Sequence, residues 1–315
     1  MIERILTTAF VLVLIGAGAV YWLTIPQRLD AASIGDEASA DAGNGERLFW
    51  AGGCSSCHAA ARADGDEALR LGGGAPLNSD FGTFHGPNIS PDPQDGIGAW
   101  SLADFANAMQ RGVDPEGRHL YPAFPYTSYV KMQAQDVADI WAFMKTLPPV
   151  EGKAPDNELS FPFSVRRGIG LWKLLYLGDD KPIVALPADA PEAVLAGRSL
   201  VEGPGHCGQC HTPRALGGAG GLKTDRWLAG APNPEGRGRI PNITPSESGI
   251  GSWSAGDVAY YFETGFTPDF DSVGGSMVAV QRNLARLPDE DRAAIAAYLK
   301  ALPALDSETA RPATD

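Results

Sequence analysis

Two five-residue runs carry the side chains whose spacing can do chemistry: Cys54-Ser55-Ser56-Cys57-His58 and Cys207-Gly208-Gln209-Cys210-His211. Two thiols three positions apart lie on one helical turn and reach the two vinyl groups of a single porphyrin, where they become thioethers. A histidine directly after the second thiol is carried beneath the ring and coordinates its iron. The same thiol pairs would also suit a zinc knuckle or a redox dithiol. A zinc site built from both pairs leaves the trailing histidines without a role, and a dithiol motif rarely occurs twice. All four cysteines of the chain lie in the two runs. The spacing therefore predicts two covalently attached haem c groups, one on Cys54, Cys57 and His58, the other on Cys207, Cys210 and His211.

The elements around these runs repeat as well. Pro87-Asn88-Ile89-Ser90-Pro91 answers Pro241-Asn242-Ile243-Thr244-Pro245, and Gly96-Ile97-Gly98-Ala99-Trp100-Ser101 answers Gly249-Ile250-Gly251-Ser252-Trp253-Ser254. Phe143-Met144-Lys145-Thr146-Leu147-Pro148 answers Tyr298-Leu299-Lys300-Ala301-Leu302-Pro303. A unit this long is a domain rather than a solenoid turn. The expected organisation is an anchor or signal peptide over 1–28, a tether over 29–44, a first domain over 45–150, a linker over 151–190, a second domain over 191–305 and a tail over 306–315. Each domain reads as helical. Ser101-x-x-Asp104 and Ser254-x-x-Asp257 are capping-box starts. Leu102, Phe105, Ala106 and Met109 follow on one helical face, closed by Gly112. Last helices are expected over about 135–147 and 289–302. A glycine stands four residues ahead of an apolar side chain before each haem run, Gly45 with Phe49 and Gly197 with Val201. In these residues both halves resemble small class I cytochromes c, whose first and last helices cross closely at that glycine. The fold expected is thus all-α, two tandem class I cytochrome c domains behind an N-terminal transmembrane helix.

That resemblance implies roles for further residues. A proline carbonyl after the haem run holds the histidine Nδ1–H in class I cytochromes c, and Pro87 and Pro241 match it by context. Trp100 and Trp253 are either haem contacts or plain core. Thioether sulfur is a favoured sixth ligand in electron-transfer cytochromes. Met277, in the glycine-rich loop Gly274-Gly275-Ser276-Met277, is the candidate in the second domain. In the first domain Met132 is the leading candidate, with His119 or an open site as alternatives. Met109 and Met144 fall on core faces, His85 lies before the Pro87 loop, and His206 reads as an exposed residue at a haem edge. Aligned on the last helices, Met132 falls opposite Leu287 and Met277 opposite Pro122, which leaves Phe124 near the place where a methionine is expected.

The rest of the chain bounds location and partners. With 25 basic against 38 acidic side chains and a net charge of −13, the protein would be repelled by nucleic acid. Ile5 to Ile25 carries no charge and is long enough to span a bilayer, with Tyr21 and Trp22 near its outer end. Ala17-Gly18-Ala19 would suit signal-peptide cleavage, but the apolar run continues unbroken to Ile25, so a retained anchor is the leading expectation. Either way the haem domains face the periplasm, where haem c attachment is completed. Asp30 to Asn44, rich in Ala, Ser, Gly and acid, reads as a flexible tether. Between the domains Val165, Ile169, Trp172 and Tyr176 make an apolar helical face beside Arg166, Arg167 and Lys173. The leading reading is a linker helix packed on both domains; a membrane-surface helix or a partner dock is the other.

The haem spacing, the Tyr121-Pro122-Ala123-Phe124-Pro125-Tyr126 run, Phe161-Pro162-Phe163 and the closing Tyr298-Leu299-Lys300-Ala301-Leu302-Pro303 resemble the membrane-bound cytochrome c subunits of bacterial alcohol and gluconate dehydrogenases. The resemblance runs from about 45 to 305. Those subunits carry three haem domains where this chain has two, and they usually have methionine where it has Phe124. The function implied is a dihaem electron relay in the bacterial inner membrane. It would take electrons from a periplasmic dehydrogenase to quinone or a terminal oxidase, with a dehydrogenase, an oxidase or another cytochrome as redox partner. The competing class is a dihaem enzyme, such as a peroxidase or thiosulfate dehydrogenase, with one open haem site. Carbon monoxide or peroxide binding at one haem distinguishes the two.

Overall fold

A serine that caps a helix and an aspartate three residues on that caps it in return define where each domain's central helix starts. In the computed structural model, which describes residues 1–74, 76–236 and 238–307, both boxes close. Ser101 accepts from the Asp104 N–H at 3.2 Å, and Ser254 accepts from the Asp257 N–H at 3.0 Å. The helices they start end at glycines in the left-handed region, Gly112 at φ 56° and Gly265 at φ 79°.

The helices in chain order are α1 (Ile2–Leu23), α2 (Ala42–Ala51), α3 (Cys54–His58), α4 (Leu102–Arg111), α5 (Tyr126–Tyr129) and α6 (Ala134–Met144). Then come α7 (Ile169–Tyr176), α8 (Glu192–Glu202), α9 (Gly208–His211), α10 (Ala255–Thr264), α11 (Met277–Leu284) and α12 (Asp289–Ala301). The first and last helices of each domain cross as expected, α2 on α6 and α8 on α12. The crossing glycines leave no room for a side chain. A Cβ on Gly45 would lie 1.9 Å from the Asp139 carbonyl oxygen, and one on Gly197 would lie 1.9 Å from that of Ala294. Phe49 and Val201, one turn further on, are fully buried beside them. One continuous apolar core joins the two domains.

Small sheets add to the all-helical expectation. Strands β1 (Pro76–Ser79), β2 (Gly82–His85) and β3 (Glu158–Leu159) form an antiparallel sheet in order, and β4 (Ala231–Pro232) pairs with β5 (Arg239–Ile240). β2 and β5 lead directly into Pro87 and Pro241, so the sheets aim those carbonyls.

The segment expected to be a flexible tether is instead strapped along the first domain. The Asp36 N–H donates to Gln135 Oε1 at 3.1 Å, Gln135 Nε2 returns a bond to the Asp36 carbonyl at 3.2 Å, and the Asp41 N–H donates to Asp139 at 2.8 Å. Lys145 pairs with Glu37. Gly35 is pressed against α6, where a Cβ would meet the Ala134 carbonyl at 2.4 Å.

The linker helix α7 packs on both domains, in keeping with the leading reading. Lys173 Nζ donates to the Arg111 carbonyl at 2.6 Å, and Trp172 Nε1 donates to the Ala219 carbonyl at 2.8 Å.

Candidate functional site

Each haem run forms a single helical turn, which sets both thiols and the histidine on one short element. His58 Nδ1 lies 2.8 Å from the Pro87 carbonyl, and His211 Nδ1 lies 2.8 Å from that of Pro241. A carbonyl oxygen only accepts, so Nδ1 carries the proton and Nε2 presents its lone pair. Burial lowers the pKa of both histidines, against a smaller opposing effect of the proline carbonyls, and this keeps the rings neutral. Neutral imidazole with a fixed tautomer is the form that ligates a metal. Burial also pushes the Cys54 and Cys207 thiols up to about 12. All four cysteines are free of disulfides, as thioether attachment to a porphyrin requires. The donor set fits haem c at both places.

Gly208 takes the place in the second run that Ser55 holds in the first. Trp227 packs against it there, and a Cβ would meet the indole at 2.1 Å.

The two attachment helices face each other across the domain boundary. Ser55 Oγ donates to Asn283 Oδ1 at 3.0 Å, and Asn283 Nδ2 donates to Ser56 Oγ at 2.8 Å. On the other side Gln209 Nε2 donates to Thr127 Oγ1 at 3.0 Å and Ser128 Oγ at 2.8 Å. Ser56 and Gln209 both directly precede the second cysteine of their runs, while Ser128 and Asn283 stand four residues before Met132 and Leu287. The contacts are therefore equivalent under exchange of the two domains. The docking is a pseudo-two-fold, with each haem run seated on the loop helix of the other domain. Arg47 and Asp291 at 3.2 Å and the Arg286 guanidinium 4.2 Å from the Trp50 ring centre brace the same boundary. Cys57 and Cys210 are near enough across it for one to raise the pKa of the other, beneath the dominant effect of burial.

His206 differs from its expectation as an exposed edge residue. It is half-buried at this boundary, Nε2 3.1 Å from the Gly52 carbonyl and the ring edge-on to Tyr129. His119 is buried, and its Nε2 lies 2.9 Å from the Thr24 carbonyl at the foot of α1. His85 ends β2, with Nε2 3.7 Å from Glu158. Trp100 and Trp253 are half-buried against the core.

The sixth-ligand candidates sit unequally. The Leu120 N–H donates to the Gly112 carbonyl at 2.7 Å, and the Val273 N–H donates to that of Gly265 at 2.8 Å. These equivalent bonds set the register of the two distal loops, and four residues on from each stand Phe124 and Met277. Met277 opens α11, half-buried, beside Ser276, whose hydroxyl donates to Glu235 at 2.8 Å. Met132 directly precedes the Gln133 N-cap of α6, is buried like Leu287, and lies against the second domain, its Cγ 3.3 Å from where a Cβ on Gly203 would be. Its carbonyl accepts from Gln110 Nε2 at 2.9 Å. Met132 is thus buried at the domain boundary, and in the register set by these loop bonds Phe124 answers Met277.

Sequence reasoning missed Asn283, Ser56, Gln209 and Ser128. The available signal was a polar residue before the second cysteine in both repeats, but its partner lies in the other domain.

The chain matches the cytochrome c family twice, over residues 42–148 and 194–303. It is 53% identical over 307 residues to a diheme cytochrome c-type protein of Cereibacter sphaeroides, covering 96% of this chain and 100% of that one. It is 37% identical to the fructose dehydrogenase cytochrome subunit of Gluconobacter japonicus, over 82% of this chain and 52% of the subunit. It is 35% identical to the gluconate 2-dehydrogenase cytochrome c subunit of Pantoea cypripedii, over 89% of this chain and 64% of the subunit. The chain thus spans the whole of the first relative but only about half to two thirds of the two dehydrogenase subunits.

Proposed function

The chain belongs to the cytochrome c family and carries two covalent haem c groups, and from that premise we propose that it relays electrons one at a time from a dehydrogenase to quinone or a terminal oxidase. The observation that carries this reading is the pair of attachment helices docked on each other's domains, each histidine held by a proline carbonyl. Haem c supplies a one-electron couple at each site. The chain's own residues do the rest. Pro87 and Pro241 fix the ring tautomers of His58 and His211, and the cysteines lock orientation. The Ser56–Asn283 and Gln209–Ser128 contacts hold the two sites at one separation. Met277 is proposed as the sixth ligand at the second site, while Phe124 leaves the first without a thioether in the equivalent place.

Redox partners are proposed from the relatives, which are named as subunits of fructose and gluconate dehydrogenases. Location in the bacterial inner membrane with the haem domains in the periplasm rests on α1, apolar and wholly exposed, and on the extracytoplasmic completion of haem c.

A second reading, a dihaem enzyme, has one observation in its favour, Phe124 in the register of Met277. Stepwise anaerobic reduction of the purified protein tests both. Two one-electron steps with no turnover of peroxide or thiosulfate are expected. Catalytic consumption of either substrate would overturn the relay.

A further inference from the structure

An exposed apolar surface begins where α1 ends. The anchor enters the first domain through a set of direct bonds rather than a loose joint. Arg167 Nε donates to Thr24 Oγ1 at 2.8 Å and its Nη2 to the Tyr21 carbonyl at 2.9 Å, with the guanidinium 4.6 Å from the Tyr21 ring centre. Arg28 donates to the Asp114 and Pro115 carbonyls at 3.0 and 2.7 Å. Helix α7 lies directly on this junction, since a Cβ on Gly170 would be 2.7 Å from Thr24 Cβ.

The inner face of α7 is occupied by Gly170, Trp172, Lys173 and Tyr176. Its outer face is not. Leu171, Leu174 and Leu175 recur at the spacing of one helical face and are 38%, 57% and 73% exposed. The approach to the helix continues the surface with Phe161 at 83%, Phe163 at 39% and Val165 at 51%. Arg166 and Arg167, next to it, are cations in a protein of net charge −13. Apolar outer side chains with flanking arginines are the composition of a segment that lies in the bilayer interface.

We propose that 161–175 is a membrane-interface segment, its leucines and phenylalanines in the headgroup boundary beside the α1 span. The occupant is lipid because α7 packs directly on the foot of α1, whose side chains are exposed throughout. A single span leaves the domain above it free to tilt relative to the membrane. A second apolar contact beside the span resists that tilt and holds the first haem domain against the membrane surface. The proposal rests on the reading of α1 as a retained span.

The haem thioethers consume all four native cysteines, so one introduced cysteine can be labelled uniquely in the loaded full-length protein. The variants are Leu174→Cys, Leu175→Cys, Val13→Cys within α1, and Glu192→Cys as an exposed polar reference, each carrying a nitroxide in vesicles of phosphatidylcholine and phosphatidylglycerol. Relaxation by oxygen, which concentrates in lipid, is compared with relaxation by a water-soluble nickel chelate. The oxygen-to-nickel ratio is expected to be several-fold higher at 13, 174 and 175 than at 192. A high ratio at 13 with values at 174 and 175 equal to that at 192 overturns the interface segment and leaves the span intact. A ratio at 13 equal to that at 192 overturns the span itself, and the interface segment with it.

Discussion

Asn283→Ala removes the side chain that bridges the second domain to the first attachment helix. Asn283 is 5% exposed, and its amide makes two bonds across the boundary, accepting from Ser55 Oγ at 3.0 Å and donating to Ser56 Oγ at 2.8 Å. A third, to the Ala279 carbonyl at 2.7 Å, fixes its orientation within α11. Each lost bond is worth about 0.5–1.5 kcal/mol, and stranding a buried hydroxyl adds about 1–3 kcal/mol. Ser55, 8% exposed, is the hydroxyl left without its acceptor. The combined loss is about 2–6 kcal/mol of domain docking. That is roughly a 30- to 25,000-fold fall in the ratio of docked to undocked forms. Calorimetry should show the single unfolding transition separating towards two, and electron equilibration between the two sites after a brief reductive pulse should slow. Asn283→Asp sets a buried carboxylate against the Ala279 carbonyl, so it should weaken the docking as well even though both serine hydroxyls keep an acceptor. An Asn283→Ala protein with unchanged melting and unchanged equilibration would refute the docking argument.

The other predictions concern the distal loops and the helix crossings. Phe124→Met places sulfur in the register of Met277, and should add a sulfur-to-iron charge-transfer band at the first haem. Met277→Ala should remove that band from the second haem, lower its reduction potential and make it bind carbon monoxide, as loss of a soft thioether dictates. Met132→Leu should leave the optical spectrum unchanged, and a lost charge-transfer band would return Met132 to the iron. Gly45→Ala puts a Cβ 1.9 Å from a backbone carbonyl that cannot rotate away, so its cost should reach or exceed the ~1–3 kcal/mol of ordinary overpacking, read as a lowered denaturant midpoint.

What was legible in the residues was local. The haem runs, the capping boxes, the crossing glycines and the proline acceptors each depend on side chains a few positions apart or on one repeat answering the other. The counterpart of Met277 depends on where the two repeats are aligned. The second domain has two more residues than the first between its distal loop and its last helix, so alignment from the last helices carries Met277 to Pro122, whereas the Leu120 and Val273 bonds set it against Phe124. The tether was misread because composition reports what a segment can do alone, and Gln135, Asp139 and Lys145 hold it from a hundred residues away in the chain. His206 and Asn283 were opaque for the same reason, since their partners Gly52 and Ser56 belong to the other domain.

The pseudo-two-fold between the domains has a consequence for division of labour. A dimer of identical subunits built on such an axis must place the same side chain at both of its metal sites, so neither site can be the preferred point of arrival. Two copies joined in one chain escape that constraint while keeping the shared seat. Here the seat has already drifted, Ser56 meeting Asn283 on one side where Gln209 meets Ser128 on the other. The distal positions have drifted further, to Phe124 and Met277. Equal sites would divide charge evenly; unequal ones give the pair an uphill end and a downhill end, and so a direction.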